Sequence, residues 1–167
     1  MKIIRGMGAA ATLGLAAWMA TGQSPVLDRS NRQVVKGEAV QYLFPEQVRV
    51  TSGKSSPVAL HFRISPGLHI NSHTPADQYL IGTEFTIPES SGVRLDAADY
   101  PPGTEFRPEA DPGMKLDVYT GEFTIKARIV ATPGNHLVEA SLRYQACDQN
   151  ACMPPKTITV PIDVVGK

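Results

Sequence analysis

The sequence predicts an all-β domain, an antiparallel β-sandwich with its cysteine pair in a loop between two late strands. Three observations point there: apolar and polar residues alternate in four separate runs, Pro and Gly punctuate the gaps between them, and no window carries a convincing helical period. Alternation with period two marks a strand with one face buried and the other wet.

Taken in order, weak runs at 39–43 and 48–51 open the domain. The first strong run is Val58, Leu60, Phe62 and Ile64, stopped by Ser65-Pro66-Gly67. Two further weak runs cover 84–87 and 93–96. Phe123, Ile125, Ala127 and Ile129 form the second strong run, ended by Thr132-Pro133-Gly134. Val138, Ala140, Leu142 and Tyr144 form the third, which leads directly into the cysteine loop. Ile158, Val160, Ile162 and Val164 form the fourth, which leaves it. The two runs flanking the cysteines are expected to be neighbouring strands. Several short strands separated by turn signals suit a sandwich of immunoglobulin-like outline. That outline alone gives no function. The inter-sheet disulfide and packed tryptophan of true immunoglobulin domains are not expected, because the cysteines are too close in sequence and the sole tryptophan is Trp18.

Residues 1–23 have a short basic start, Met-Lys-Ile-Ile-Arg, and then an apolar stretch of about fifteen residues, the pattern of a secretory signal. Cleavage is expected near Gly22, after Ala20-Thr21-Gly22; an uncleaved anchor is the alternative. Residues 24–33 read as a polar tether, and 34–167 as one domain of ordinary size. The mature protein is expected to be exported to the periplasm or a comparable compartment where disulfides persist. Lys plus Arg and Asp plus Glu balance at 16 each, without a basic run, so neither nucleic acid nor an anionic membrane surface is an expected partner.

Cys147 and Cys152 are the only two cysteines. A bridge between them closes a loop of about six residues, worth only about 2 kcal/mol in the chain-entropy treatment. The pair is therefore poorly placed as a staple and better placed as a switchable dithiol. His69 and His73 have the spacing of a helical chelating pair, but Asn71, Ser72, Thr74 and Pro75 predict a turn instead. No second close-spaced ligand pair accompanies the cysteines, so no metal and no other cofactor is expected. His61 and His136 read as solvent-facing. No Ser/His/Asp set, phosphate-cradling glycine loop or pair of catalytic carboxylates emerges.

The segment Tyr144-Gln145-Ala146-Cys147, a short polar linker, and Cys152-Met153-Pro154-Pro155 before a Thr-rich β run resembles the N-terminal periplasmic domain family of the disulfide interchange protein DsbD. Gly67-Leu68-His69-Ile70-Asn71 and Asp117-Val118-Tyr119-Thr120-Gly121-Glu122-Phe123 are similar to further stretches of that family. The resemblance implies an immunoglobulin-like sandwich that takes electrons from a thioredoxin-like donor and passes them to oxidised periplasmic proteins. It implies a component of thiol:disulfide oxidoreductase type, with Cys152 forming mixed disulfides and Cys147 resolving them. A wall or cap around the bridge is expected from Tyr144, Pro154, His69, Asn71, Phe106 and Met114, the last two in a cap loop over 105–116. Tyr144 has a second reading, as the end of a core-facing strand. Pro154 and Pro155 are expected to stiffen the chain after Cys152. The linker Asp148-Gln149-Asn150-Ala151 is one residue shorter than the family form, and a chain ending at Lys167 is expected to need a separate donor. Two other readings stay open: a non-catalytic binding or adaptor module with a structural disulfide, and an exported metal carrier.

Overall fold

The computed structural model describes residues 38–43, 47–77, 79–109 and 111–167; the signal and tether expectations for residues 1–33 lie outside them. Twelve strands follow one another among these residues: β1 (Val40–Leu43), β2 (Gln47–Val50), β3 (Ser56–Ile64), β4 (His69–Asn71), β5 (Glu84–Thr86), β6 (Val93–Asp99), β7 (Thr104–Phe106), β8 (Leu116–Tyr119), β9 (Glu122–Ala131), β10 (Gly134–Tyr144), β11 (Ala146–Cys147) and β12 (Lys156–Gly166). One 3₁₀ turn, Glu89–Ser91, precedes β6. No described helix is long and apolar enough to cross a membrane.

Two four-stranded sheets, in the orders β1-β3-β9-β6 and β2-β12-β10-β5, build the immunoglobulin-like sandwich. Their inward residues form one core: Leu60, Phe62, Ile125 and Ile129 from the first sheet, and Val138, Leu142, Val160 and Ile162 from the second, are buried together. This is the alternation of the four strong runs realised as packing, and each such side chain contributes about 1.5–3 kcal/mol when fully buried. Phe62 stacks on Phe123 with ring centroids 5.1 Å apart, and Phe123 on Tyr119 at 4.9 Å.

The strands flanking the cysteines are neighbours, β10 and β12 pairing antiparallel from Gly134↔Gly166 to Tyr144↔Lys156. Every strand pair is antiparallel except β2 with β12, which run parallel. In β6 the register shifts between Leu95 and Ala97, so Asp96 sits in a bulge, where Ser55 Oγ donates to its carboxylate at 2.7 Å.

A third sheet, β11-β4-β8-β7, forms where two core strands run on. β3 turns through Ser65–Leu68, with Gly67 at φ 79°, and continues as β4. β10 continues through Gln145 into β11. The turn expected around His69 is thus partly corrected: His69–Asn71 is a short buried strand held between β11 and β8. The loop expected over 105–116 is corrected at both ends, because Thr104–Phe106 pairs with Leu116–Val118 as a hairpin. Glu105 bridges Arg107 at 2.9 Å and Lys115 at 3.4 Å across its neck. Three-residue strands have too few positions to display a period, which is why composition favoured a turn and a loop there.

Candidate functional site

The two cysteines are joined, with S–S 2.04 Å and Cα atoms 3.9 Å apart. They face one another as an antiparallel bridge at the neck of a tight hairpin. Asp148 makes the turn: its Oδ1 accepts from the amides of Asn150 at 2.7 Å and Ala151 at 2.8 Å, and its own amide donates to Ala151 O at 3.0 Å. Those two side-chain bonds, with a smaller contribution from His69, hold the Asp148 carboxyl below the usual carboxylate range. Below the bridge, Met153 N donates to Ala146 O at 2.8 Å. Pro154 and Pro155 then lie exposed between this bond and the last β10–β12 pair, Tyr144↔Lys156. Lacking amide hydrogens, they leave the two ladders separate.

The cysteines differ in exposure. Cys147, in the third sheet, is only 1% exposed, whereas Cys152 is exposed on the outer arm of the hairpin.

His69 lies directly opposite Cys147 on the neighbouring strand. Opposed residues of an antiparallel pair point to the same face, with Cβ atoms about 4.5–5.5 Å apart. The ring is 3% exposed, and Phe106 packs on it with centroids 4.1 Å apart. Its Nε2 is buried without a protein hydrogen-bond partner. Burial pushes the imidazole below its ordinary value, against a smaller upward pull from Asp148.

Asn71, also fully buried, works on the other cysteine arm. Its Nδ2 donates to Ile81 O at 3.0 Å and to Gln145 Oε1 at 3.2 Å. Gln145 Nε2 in turn donates to Met153 O at 3.2 Å. A buried amide is thereby linked to the main chain immediately after Cys152.

Two grooves flank the hairpin. One, of about 530 Å³, is lined by Arg63, the 65–68 turn, His69, Phe106, Thr120, Gly121 and Gln149, along with Ile64. The other, of about 260 Å³, is lined by Tyr144, Ala146, Met153 and Pro154, together with Glu38, Ala39, Ser65, Leu68 and Lys156. Tyr144 is fully buried and belongs to the core cluster, while its side chain also meets the smaller groove. Met114 is exposed in the hairpin connection and lines neither groove. The structure therefore gathers His69, Phe106 and Pro154 at the hairpin, places Asn71 beneath it, and leaves Met114 apart. In the sequence Gln145 stands out only as part of the Tyr-Gln-Ala-Cys motif; its link to Asn71 spans 74 residues and leaves no local signal.

His73 lies outside this cluster, stacked on Tyr100 at 3.8 Å and bonded through Nδ1 to Thr83 O at 2.8 Å. His61 and His136 are partly exposed, His61 on the outward side of β3 between the buried Leu60 and Phe62; His61 Nδ1 lies 3.0 Å from Thr124 Oγ1. Among the described residues, no group of three or more His, Cys, Asp or Glu is arranged to hold a metal ion.

A family profile described as "Thiol:disulfide interchange protein DsbD, N-terminal" matches residues 39–163. The N-terminal periplasmic domain of ScsB from Proteus mirabilis superposes with a TM-score of 0.51 at 13% identity, covering 74% of this chain and 44% of that one. This chain thus spans less than half of that structure. The reduced DsbD n-terminal domain of Neisseria meningitidis gives a TM-score of 0.46 at 19% identity, covering 65% of this chain and 77% of that one. No curated protein matches the sequence.

Proposed function

The chain belongs to the family of thiol:disulfide interchange protein DsbD N-terminal domains, and from that premise we propose that it is a periplasmic exchange module. It relays electrons from a thioredoxin-like donor to oxidised partner proteins through Cys147 and Cys152.

The observation that carries this reading is the unequal exposure of the two cysteines. Exchange needs a thiolate to reach a disulfide sulfur in line, and only the Cys152 arm is open to a protein-sized partner. In the reducing half-cycle the donor thiolate attacks Cys152 Sγ. A donor–Cys152 disulfide forms, the Cys147–Cys152 bond breaks, and its electron pair leaves on Cys147. The donor's second thiolate then attacks its own bridged sulfur and releases Cys152 as thiolate. In the oxidising half-cycle Cys152 attacks the acceptor's disulfide. Cys147 then attacks Cys152 Sγ, restoring the bond and releasing the acceptor reduced. Phe106, His69, Pro154 and Tyr144 form the walls past which a partner approaches, with Asn71 supporting them from below.

The test takes a Cys147→Ala variant of the exported domain, its Cys152 activated as the thionitrobenzoate mixed disulfide, and mixes it with a reduced thioredoxin-like protein whose own resolving cysteine is replaced by Ala, so that neither partner can release the other. The expected result is a mixed disulfide trapped on Cys152, together with a wild-type reduction potential above about −300 mV. A potential below that value and no trapped species would overturn the proposal and leave a bond that only braces the hairpin.

A further inference from the structure

We infer that His69 is the proton-relay residue of Cys147, donating to its thiolate when the bridge opens and accepting its thiol proton when the bridge closes. This role rests on the exchange reading above.

The argument begins with the register. Cys147↔His69 is one of the two pairs that join β11 to β4, so the side chains share a face of the third sheet. Phe106 covers the imidazole at 4.1 Å, and the ring is nearly sealed from solvent. A buried nitrogen without a partner costs free energy, because it has left water without regaining a hydrogen bond. The disulfide sulfur of Cys147 carries no proton and is a poor acceptor, so the oxidised state leaves Nε2 orphaned. Opening the bridge puts a thiolate or thiol on the same face, and with it a partner for that nitrogen. The orphan therefore belongs to one redox state only.

The charges around the imidazole are few. Asp148, from the cysteine hairpin, is the carboxylate that pulls its protonation upward. Arg63, from β3, lines the same groove and is paired with Glu122 at 2.7 Å. The 65–68 turn, Phe106, Thr120, Gly121 and Gln149 bring no titratable side chain. The other titratable neighbours are the cysteines themselves. With burial favouring the uncharged ring, His69 starts as a base near neutral pH.

Resolution of a mixed disulfide then balances as follows. The Cys147 thiol proton passes to His69 Nε2 while Sγ of Cys147 bonds to Sγ of Cys152. The bond from Cys152 to the partner sulfur breaks, its electron pair leaves on the partner, and the imidazolium yields its proton to that thiolate or to water. In the opposite direction the imidazolium, protonated at Nε2 by the attacking partner's thiol or by water, stabilises the departing Cys147 thiolate and hands it that proton.

The experiment follows the oxidation of the reduced domain by oxidised glutathione from pH 5 to 9, with acid quench and mass spectrometry resolving the glutathione–Cys152 intermediate. His69→Gln is expected to slow loss of that intermediate about 100-fold at neutral pH, the low end of what positioned proton transfer contributes, and to remove the acid-side inflection of its pH profile. A second measurement needs no variant: the NMR titration midpoint of the His69 ring should differ between the oxidised and reduced wild-type domain. Unchanged decay in His69→Gln with identical midpoints in both redox states would overturn the role of His69 while leaving exchange intact. A wild-type bridge that glutathione and dithiothreitol both fail to turn over would overturn the exchange reading itself, and the relay with it.

Discussion

Asn71 and Gln145 are joined side chain to side chain at 3.2 Å, and the second of them holds the main chain beyond Cys152. The exposed cysteine arm is therefore moored to a residue with no exposure of its own. The two bonds tie the main chain just after Cys152 to the same short sheet that carries Cys147.

Removing the mooring should be felt in stability. Asn71→Ala strands Ile81 O and Gln145 Oε1 and is expected to cost about 1–3 kcal/mol in urea unfolding. Combined with Gln145→Ala, the double-mutant cycle should return a coupling of about 1 kcal/mol. Strict additivity would show that the two amides act independently.

Thiol reactivity should follow exposure. In reduced single-cysteine variants, Cys152 (in Cys147→Ala) is expected to react with a bulky maleimide at least about tenfold faster than Cys147 (in Cys152→Ala). Equal alkylation rates would contradict the burial of Cys147.

Phe106→Ala should let water reach the His69 ring. Because burial is the main cause of its lowered value, the His69 pKa is expected to rise toward the ordinary value of about 6.5. A proton NMR titration of the ring measures this, and a further fall would contradict Phe106 as its shield.

Acid should weaken the fold in two separate windows. His69 has its folded pKa depressed, so its contribution is present above the unfolded value of about 6.5 and is lost as pH falls through the lower folded value. Asp148 is likewise depressed, and its contribution is present above about 3.9 and is lost as pH falls through its folded value. Thermal midpoints measured from pH 2 to 8 should show both declines, with His69→Gln erasing the first and Asp148→Asn diminishing the second, which Asp96 and Glu105, also held below the usual carboxylate range, share.

Gly82 meets the segment that follows β4 closely: a Cβ there would lie 2.7 Å from the His73 carbonyl oxygen and 3.3 Å from Pro75 Cδ. Gly82→Ala is expected to destabilise by about 1–3 kcal/mol, as overpacking does, read from the chemical midpoint. A neutral result would mean that the 72–75 segment yields freely.

The four long strands were legible because each has enough positions for alternation to stand above chance, as Val138 to Tyr144 does between the turn at Gly134 and the cysteine loop. The cysteine pair was legible because its spacing is unsuited to a staple. The strands around it were not. His69–Asn71 and Ala146–Cys147 are three and two residues long, and they form only because long core strands deliver them side by side. Their polar members carry the signature of a turn, yet Asn71 and Thr83 find backbone partners there, Thr83 Oγ1 donating to Asn71 O at 2.6 Å. In the sequence Asp148 is only the first residue of the polar linker between the cysteines. Its carboxylate is occupied by its own turn, a choice that depends on a backbone conformation not encoded by residue order alone.

The parallel seam between Gln47–Val50 and Lys156–Gly166 has a consequence for how the molecule is made. The later strand lies in the middle of its sheet, with eleven matched pairs on one side and four on the other. A polypeptide appearing from its amino end cannot zip that layer shut until residues 156–166 have emerged. During that interval both sulfurs ride on an unfinished flap, and the shelter that sets the two apart is not yet built.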